Sequence, residues 1–204
     1  MEKNTFPNIK NELQIKEEDL KEIFSLSQTK KIILDIGCGH GDYLIDRTKS
    51  DKESLFIGIE ISRKRTFKTS ERLAKRNIEN YRVINGEGES TLKLFFPSNS
   101  IDEANILFPD PWLKKQQWKN RIFKPSFVIQ LIRILKSGGK IFFASDIREY
   151  ALEVYNLLSQ FKELKNTFTN PIEVNIYPNF PTLFFNKMSK ERPINYICFE
   201  KLHS

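Results

Sequence analysis

The chain has 204 residues, 39% of them hydrophobic and 12% aromatic, enough apolar material for one folded domain and too much for wholesale disorder. Lys and Arg number 33 against 26 Asp and Glu, a net charge of +7, so where the cations cluster matters more than their sum. No apolar run approaches the roughly 18 residues of a membrane helix, the polar stretch from Met1 to Lys10 does not read as a signal peptide, and Cys38 and Cys198 form no pattern that suggests a disulfide framework or a zinc site. The expectation is a cytoplasmic protein with no membrane or metal partner, monomeric or homodimeric.

Residues 1–29 are polar, and Ile15, Leu20, Ile23, Phe24 and Leu26 are spaced as on one short amphipathic helix, an N-terminal appendage to a domain over 30–204. From Lys30 short apolar runs alternate with charged helical stretches. Lys31–Ile36, Leu55–Ile61, Tyr81–Ile84, Ile101–Phe108 and Lys140–Ala144 read as strands. Between them fall a helix after Gly41, a basic helix from Ser62 and an amphipathic helix over Ser126–Lys136 stopped by Gly138-Gly139. A helix over Arg148–Phe161 follows the last of those strands. Pro171–Pro181 reads as loop with short extended pieces, and Ile194–Glu200 as a closing strand with no helix after it. This rhythm predicts a doubly wound α/β fold, a mostly parallel sheet with helices on both faces and an antiparallel closing strand.

The first strand runs into Gly37-Cys-Gly39-His-Gly41, a turn that lets a ligand lie against the backbone. A dinucleotide fingerprint would need glycine at position 42, where Asp42 stands, and no Gly-Lys-Ser/Thr follows for a P-loop. Asp35, Glu60 and Glu87 fall at the ends of the first three strands, where ligands bind in such sheets. An acidic rim suits a ligand that is cationic and carries no phosphate. S-adenosylmethionine fits, with its sulfonium and α-ammonium for Asp35, ribose hydroxyls for Glu60 and an adenine edge for Glu87.

The fourth strand ends in Phe108-Pro-Asp-Pro-Trp112. Two prolines restrict Asp110 and hold its carboxylate at the rim of the crevice. Lys114, Lys115, Lys119, Arg121 and Lys124 follow with no acid among them, and Arg63, Lys64, Arg65, Lys68, Arg72, Lys75 and Arg76 crowd the second helix against Glu71 alone. Either run taken singly is a solvated face. Two in one small domain point to a polyanion, and an aromatic beside cations suits RNA.

Pro109-Asp-Pro-Trp112 with Lys114-Lys115 and Lys119-Asn-Arg121 resembles the bacterial tRNA (guanine-N7-)-methyltransferase family. The order of Asp35-Ile-Gly-Cys-Gly39, Gly58-Ile-Glu60, that motif and Ala144-Ser-Asp146 matches it from about Lys30 to Lys201. The resemblance implies a Rossmann-like fold, S-adenosylmethionine as cofactor and methylation of a guanine N7 in the tRNA variable loop. It implies that Asp35, Gly37, Gly39, Glu60, Glu87 and Asp110 face the cofactor and that Asp110 is also the catalytic acid. Lys114, Asp146 and the segment carrying Thr182 and Lys187 would face the tRNA. The chain departs from the family at Gln116, Gln117 and Asn120 in the basic loop, and at Phe185, where the family carries Glu. Two other readings stay open: a methyltransferase of the same fold acting on another RNA position, and a non-catalytic tRNA-binding relative.

Overall fold

The computed structural model describes residues 30–176 and 182–203; the expected helix in 1–29 lies outside the described residues. β1 (Ile32–Ile36) and β2 (Leu55–Glu60) are buried along their whole length, as parallel strands covered on both faces must be. They join β3 (Tyr81–Asn85), β4 (Ile101–Leu107), β5 (Leu135–Ser145), β6 (Leu164–Asn166), β7 (Glu173–Val174) and β8 (Asn195–Lys201) in one sheet of order β3-β2-β1-β4-β5-β8-β6, with β7 also on β8. The first five strands pair parallel, whereas β8 runs antiparallel to β5, β6 and β7. The expected fold and closing strand are both present.

Strand alternation sorts the core into two layers. Ile32, Leu34, Ile36, Leu55, Ile57 and Ile59 pack on α3 (Gly88–Phe95), α4 (Pro125–Ile134) and α5 (Arg148–Leu158). Ile33 and Phe56 pack on α1 (Asp42–Ser50) and α2 (Arg63–Ala74) through Tyr43, Leu44, Ile45 and Leu73. Each buried aliphatic side chain contributes about 1.5–3 kcal/mol. Asp35 and Glu60 share the parity of Ile33 and Phe56, so both carboxylates stand on the α1/α2 side at the C-terminal strand edge. Strand order reverses between β1 and β4, which opens a crevice at that edge.

The helix expected over Ser126–Lys136 instead ends at Ile134, and Gly138-Gly139 lie inside β5. The stop is made by distant groups. Asn99 N–H and Ser100 N–H take the carbonyls of Arg133 and Ile134, and Leu135 turns extended to pair with Ile101. The helix expected to reach Phe161 ends at Leu158. Four short elements were not expected: α3, a 3-10 turn over Lys115–Asn120, β6, and α6 (Leu183–Met188).

Candidate active site

The glycine turn is built from both sides. Gly37 and Cys38 donate their N–H groups to the Ile59 carbonyl at 2.7 and 3.1 Å. Thr69 Oγ1 of α2 donates to the Gly39 carbonyl at 2.9 Å. Gly41 has φ +74°, and a Cβ there would lie 2.3 Å from Thr69 Cγ2. At Gly37, φ is +84° and a Cβ would meet nothing within 4 Å, so the backbone itself forms the wall of the space beyond.

That space is a cavity of about 670 Å³ at the β1/β4 switch point, within the range of small-ligand sites. Asp35 lies on its floor, 3% exposed, and accepts no hydrogen bond from the described residues. Burial, with the Glu60 charge adding to it, pushes its carboxyl up to about 8. An uncompensated buried carboxylate calls for a cationic or donor-rich ligand.

Glu60 is differently held. Its Oε1 accepts from Ser62 N–H at 2.7 Å and from Arg65 Nε and Nη2 at 3.0 and 2.8 Å, while among the described residues Oε2 accepts only Gly39 N–H at 3.0 Å. One oxygen is saturated from α2, and the other keeps acceptor capacity. Glu87 lines the cavity and caps α3, accepting from Glu89 and Ser90 N–H at 3.1 and 2.8 Å. Partial burial raises its carboxyl, but the Ser90 and Glu89 hydrogen bonds and the Lys124 charge outweigh it and hold the group below its ordinary value.

Asp110 is exposed at the cavity mouth. The left-handed residues of its loop are the flanking aromatics, Phe108 at φ +52° and Trp112 at φ +44°, a conformation costing about 1–3 kcal/mol each. Arg121 holds this loop from within. It donates to the Pro111 carbonyl at 2.7 Å and the Trp112 carbonyl at 3.5 Å, pairs with Glu153 of α5, and stacks over the Trp118 and Tyr150 rings at 4.7 and 4.8 Å. The sequence counts Arg121 among the exposed cations of the basic run; it is buried instead, and only its neighbours in space reveal that. Phe123 packs edge-to-face on Phe127 and Phe143 at 5.6 and 5.4 Å, which anchors the far end of the segment.

The substrate-side candidates divide. Thr182 and Lys187 line the cavity, and Thr182 caps α6 by accepting Phe185 N–H at 2.8 Å. Lys114 is exposed just outside the lining. Asp146 is also outside it, held by Arg192 at 3.2 Å. Phe185, at the family's Glu position, tilts against Phe108 with ring centroids 6.4 Å apart. Arg65 and Arg121 line the cavity as well, and sequence reasoning gave neither a role there. Spacing could have suggested the first, since Arg65 falls one turn into the helix that follows Glu60.

A family model described as "Putative methyltransferase" matches residues 29–192. The chain belongs to this methyltransferase family. A tRNA (guanine-N(7)-)-methyltransferase of Nitrosococcus oceani is 39% identical to this chain over 137 residues, 66% of this chain and 58% of the relative. One from Syntrophotalea carbinolica is 34% identical over 149 residues, 72% of this chain and 64% of the relative. The chain therefore spans about three fifths of the length of these relatives. The solved 30S ribosomal A1408 methyltransferase from an uncultured bacterium shares the fold, with a TM-score of 0.64 and 24% identity over 93% of this chain and 95% of that one.

Proposed function

We propose that this methyltransferase, as one catalytic domain over 30–204, transfers a methyl group from S-adenosylmethionine to N7 of a guanine in the tRNA variable loop, in the cytoplasm. The observation that carries this reading is the placement of Asp110, on its Pro-Asp-Pro-Trp loop, at the mouth of a cavity whose floor is the buried Asp35. Both relatives described above are named tRNA (guanine-N(7)-)-methyltransferases.

The residues fit the cofactor. Asp35 supplies a carboxylate for the ammonium, Glu60 Oε2 an acceptor for ribose, and the bare backbone at Gly37 lets a ligand approach closely. Glu87 would meet the adenine side with its carboxylate already engaged by α3. When bound, S-adenosylmethionine supplies an electrophilic methyl group. Guanine N7 carries an in-plane lone pair that is unprotonated at neutral pH, so the site needs no general base. What remains for the protein is positioning, where effective molarity removes up to about 7–11 kcal/mol of barrier. Asp110 orients the base by accepting from its N–H groups and stabilises the positive charge that the purine gains. Lys114, Lys187, Thr182 and Asp146 hold the RNA around the extruded base.

Methyl transfer to unmodified tRNA transcripts tests this reading, with Asp110→Asn as the probe. The variant should lose single-turnover rate by about a hundredfold or more and keep cofactor affinity within a few-fold. Equal losses of both would make Asp110 a cofactor-holding residue.

A further inference from the structure

The helix α2 uses its cations in two ways. Arg65 turns inward onto Glu60, Arg72 pairs with Asp42 at 2.8 Å, and Lys75 pairs with Glu71 at 2.9 Å. These hold the glycine turn and the helix itself. The side chains of Arg63, Lys64 and Lys68 are exposed and make no hydrogen bond or ion pair with the described residues. Together with Glu71, whose charge Lys75 offsets, they line the surface around Phe67, which is 56% exposed although α2 buries Thr66, Thr69 and Leu73 on its other side. At helical spacing Arg63 and Lys64 lie one turn before Phe67 and on its side, with Lys68 beside it. Ile61, 66% exposed and in the cavity lining, joins this face to the cavity mouth.

We infer that the outer face of α2, made of Arg63, Lys64, Phe67 and Lys68, is a second RNA-docking surface that grips the tRNA at a distance from the methylated base. The inference rests on the tRNA reading above. Charge complementarity selects the partner, because cations around one bare aromatic ring match a phosphate backbone with a base to stack. Among the described residues, an apolar protein partner would find one ring there, with Ile61 at the edge of the face. The position also suits RNA. The helix starts at the strand edge that carries Glu60 and runs about 18 Å away from it, so it extends the basic surface to the side of the cavity opposite the Lys114–Lys124 loop, across the β1/β4 crevice.

The test uses Arg63→Gln/Lys64→Gln/Lys68→Gln and, separately, Phe67→Ala, with binding of an unmodified tRNA transcript followed across a salt series. The triple variant should flatten the slope of log affinity against log salt by about 2–3, at roughly 0.7–0.9 for each phosphate no longer neutralised. Phe67→Ala should weaken binding about tenfold and leave the slope unchanged. Both should raise KM for tRNA, leave kcat at saturating tRNA unchanged, and bind S-adenosylmethionine like the wild type. If the wild type binds tRNA and the variants match it in affinity and slope, the inference is wrong while the functional reading stands. Loss of binding to phosphatidylserine vesicles with unchanged tRNA binding would make the face a membrane-binding one and overturn the inference too. A wild type that binds no tRNA overturns the reading beneath it.

Discussion

Arg121 Nε donates to the Pro111 carbonyl at 2.7 Å across ten residues of chain. One buried guanidinium thus fastens the loop that carries Asp110, with Glu153 and the Tyr150 ring holding it on the far side.

Arg121→Ala removes that clamp from an interior site and leaves carbonyls without a donor. It should lower unfolding stability by about 2–3 kcal/mol and methyl-transfer rate by about tenfold or more through misplacement of Asp110, with cofactor affinity little changed. Arg121→Lys should rescue poorly, because an ammonium cannot span Pro111, Trp112 and Glu153 as the planar fork does. Denaturant unfolding beside single-turnover kinetics checks both points, and full rescue by lysine would mean that charge alone matters.

Asp35 gives a pH dependence with a definite sign. Its carboxyl, pushed up to about 8 by burial and by Glu60, is mostly neutral at pH 6 in the ligand-free protein and ionised above 8. A cationic ligand prefers the ionised form. Affinity for S-adenosylmethionine should therefore rise between pH 6 and about 8, by at most tenfold per pH unit, with proton release on binding. The folded chain alone behaves oppositely: the raised value contributes stability that is present below the unfolded value near 4 and lost as pH rises through about 8. Asp35→Asn should remove the pH dependence of binding. Calorimetry in buffers of different ionisation heat decides it, and absence of proton release near neutrality would refute this role for Asp35.

Much of this site can be read along the chain, and the reasons differ by element. β1 and β2 are continuous apolar runs ended by a turn or an acid, so Asp35 and Glu60 could be placed at strand ends without coordinates. The C-terminus of α4 could not, because its last carbonyls are taken by residues 99 and 100 rather than by the Gly138-Gly139 pair nearby in sequence. Glu87 hid the start of α3, since glutamate is not among the favoured cap residues. Arg121 hid in plain view: a cation in a basic run reads as solvated until Trp118 and Tyr150 are seen beside it.

Glu60→Gln replaces a carboxylate that accepts from Gly39, Ser62 and Arg65 with an amide that must present N–H to donors. It should weaken S-adenosylmethionine binding by about 1.5–3 kcal/mol, roughly 10–150-fold, and destabilise the fold, because Arg65 loses its partner. Calorimetry and thermal unfolding read the two effects. Unchanged affinity would remove Glu60 from the cofactor side.

The two glycines of the turn should respond differently to alanine. At Gly41 a methyl group would sit 2.3 Å from Thr69 Cγ2 in a left-handed backbone, whereas at Gly37 only the backbone cost applies. Gly41→Ala should cost about 2–4 kcal/mol and Gly37→Ala about 1 kcal/mol. Equal costs in denaturant unfolding would contradict the close packing of α2 on the turn.

Methylation at guanine N7, rather than at another atom, can be read directly from chain cleavage. Unmodified tRNA transcripts treated with the protein and S-adenosylmethionine, then with borohydride and aniline, are cut where 7-methylguanosine has formed. The expected result is a single cut in the variable loop that disappears with Asp110→Asn. Methyl incorporation with no cut would place the methyl on another atom and contradict the assignment to guanine N7.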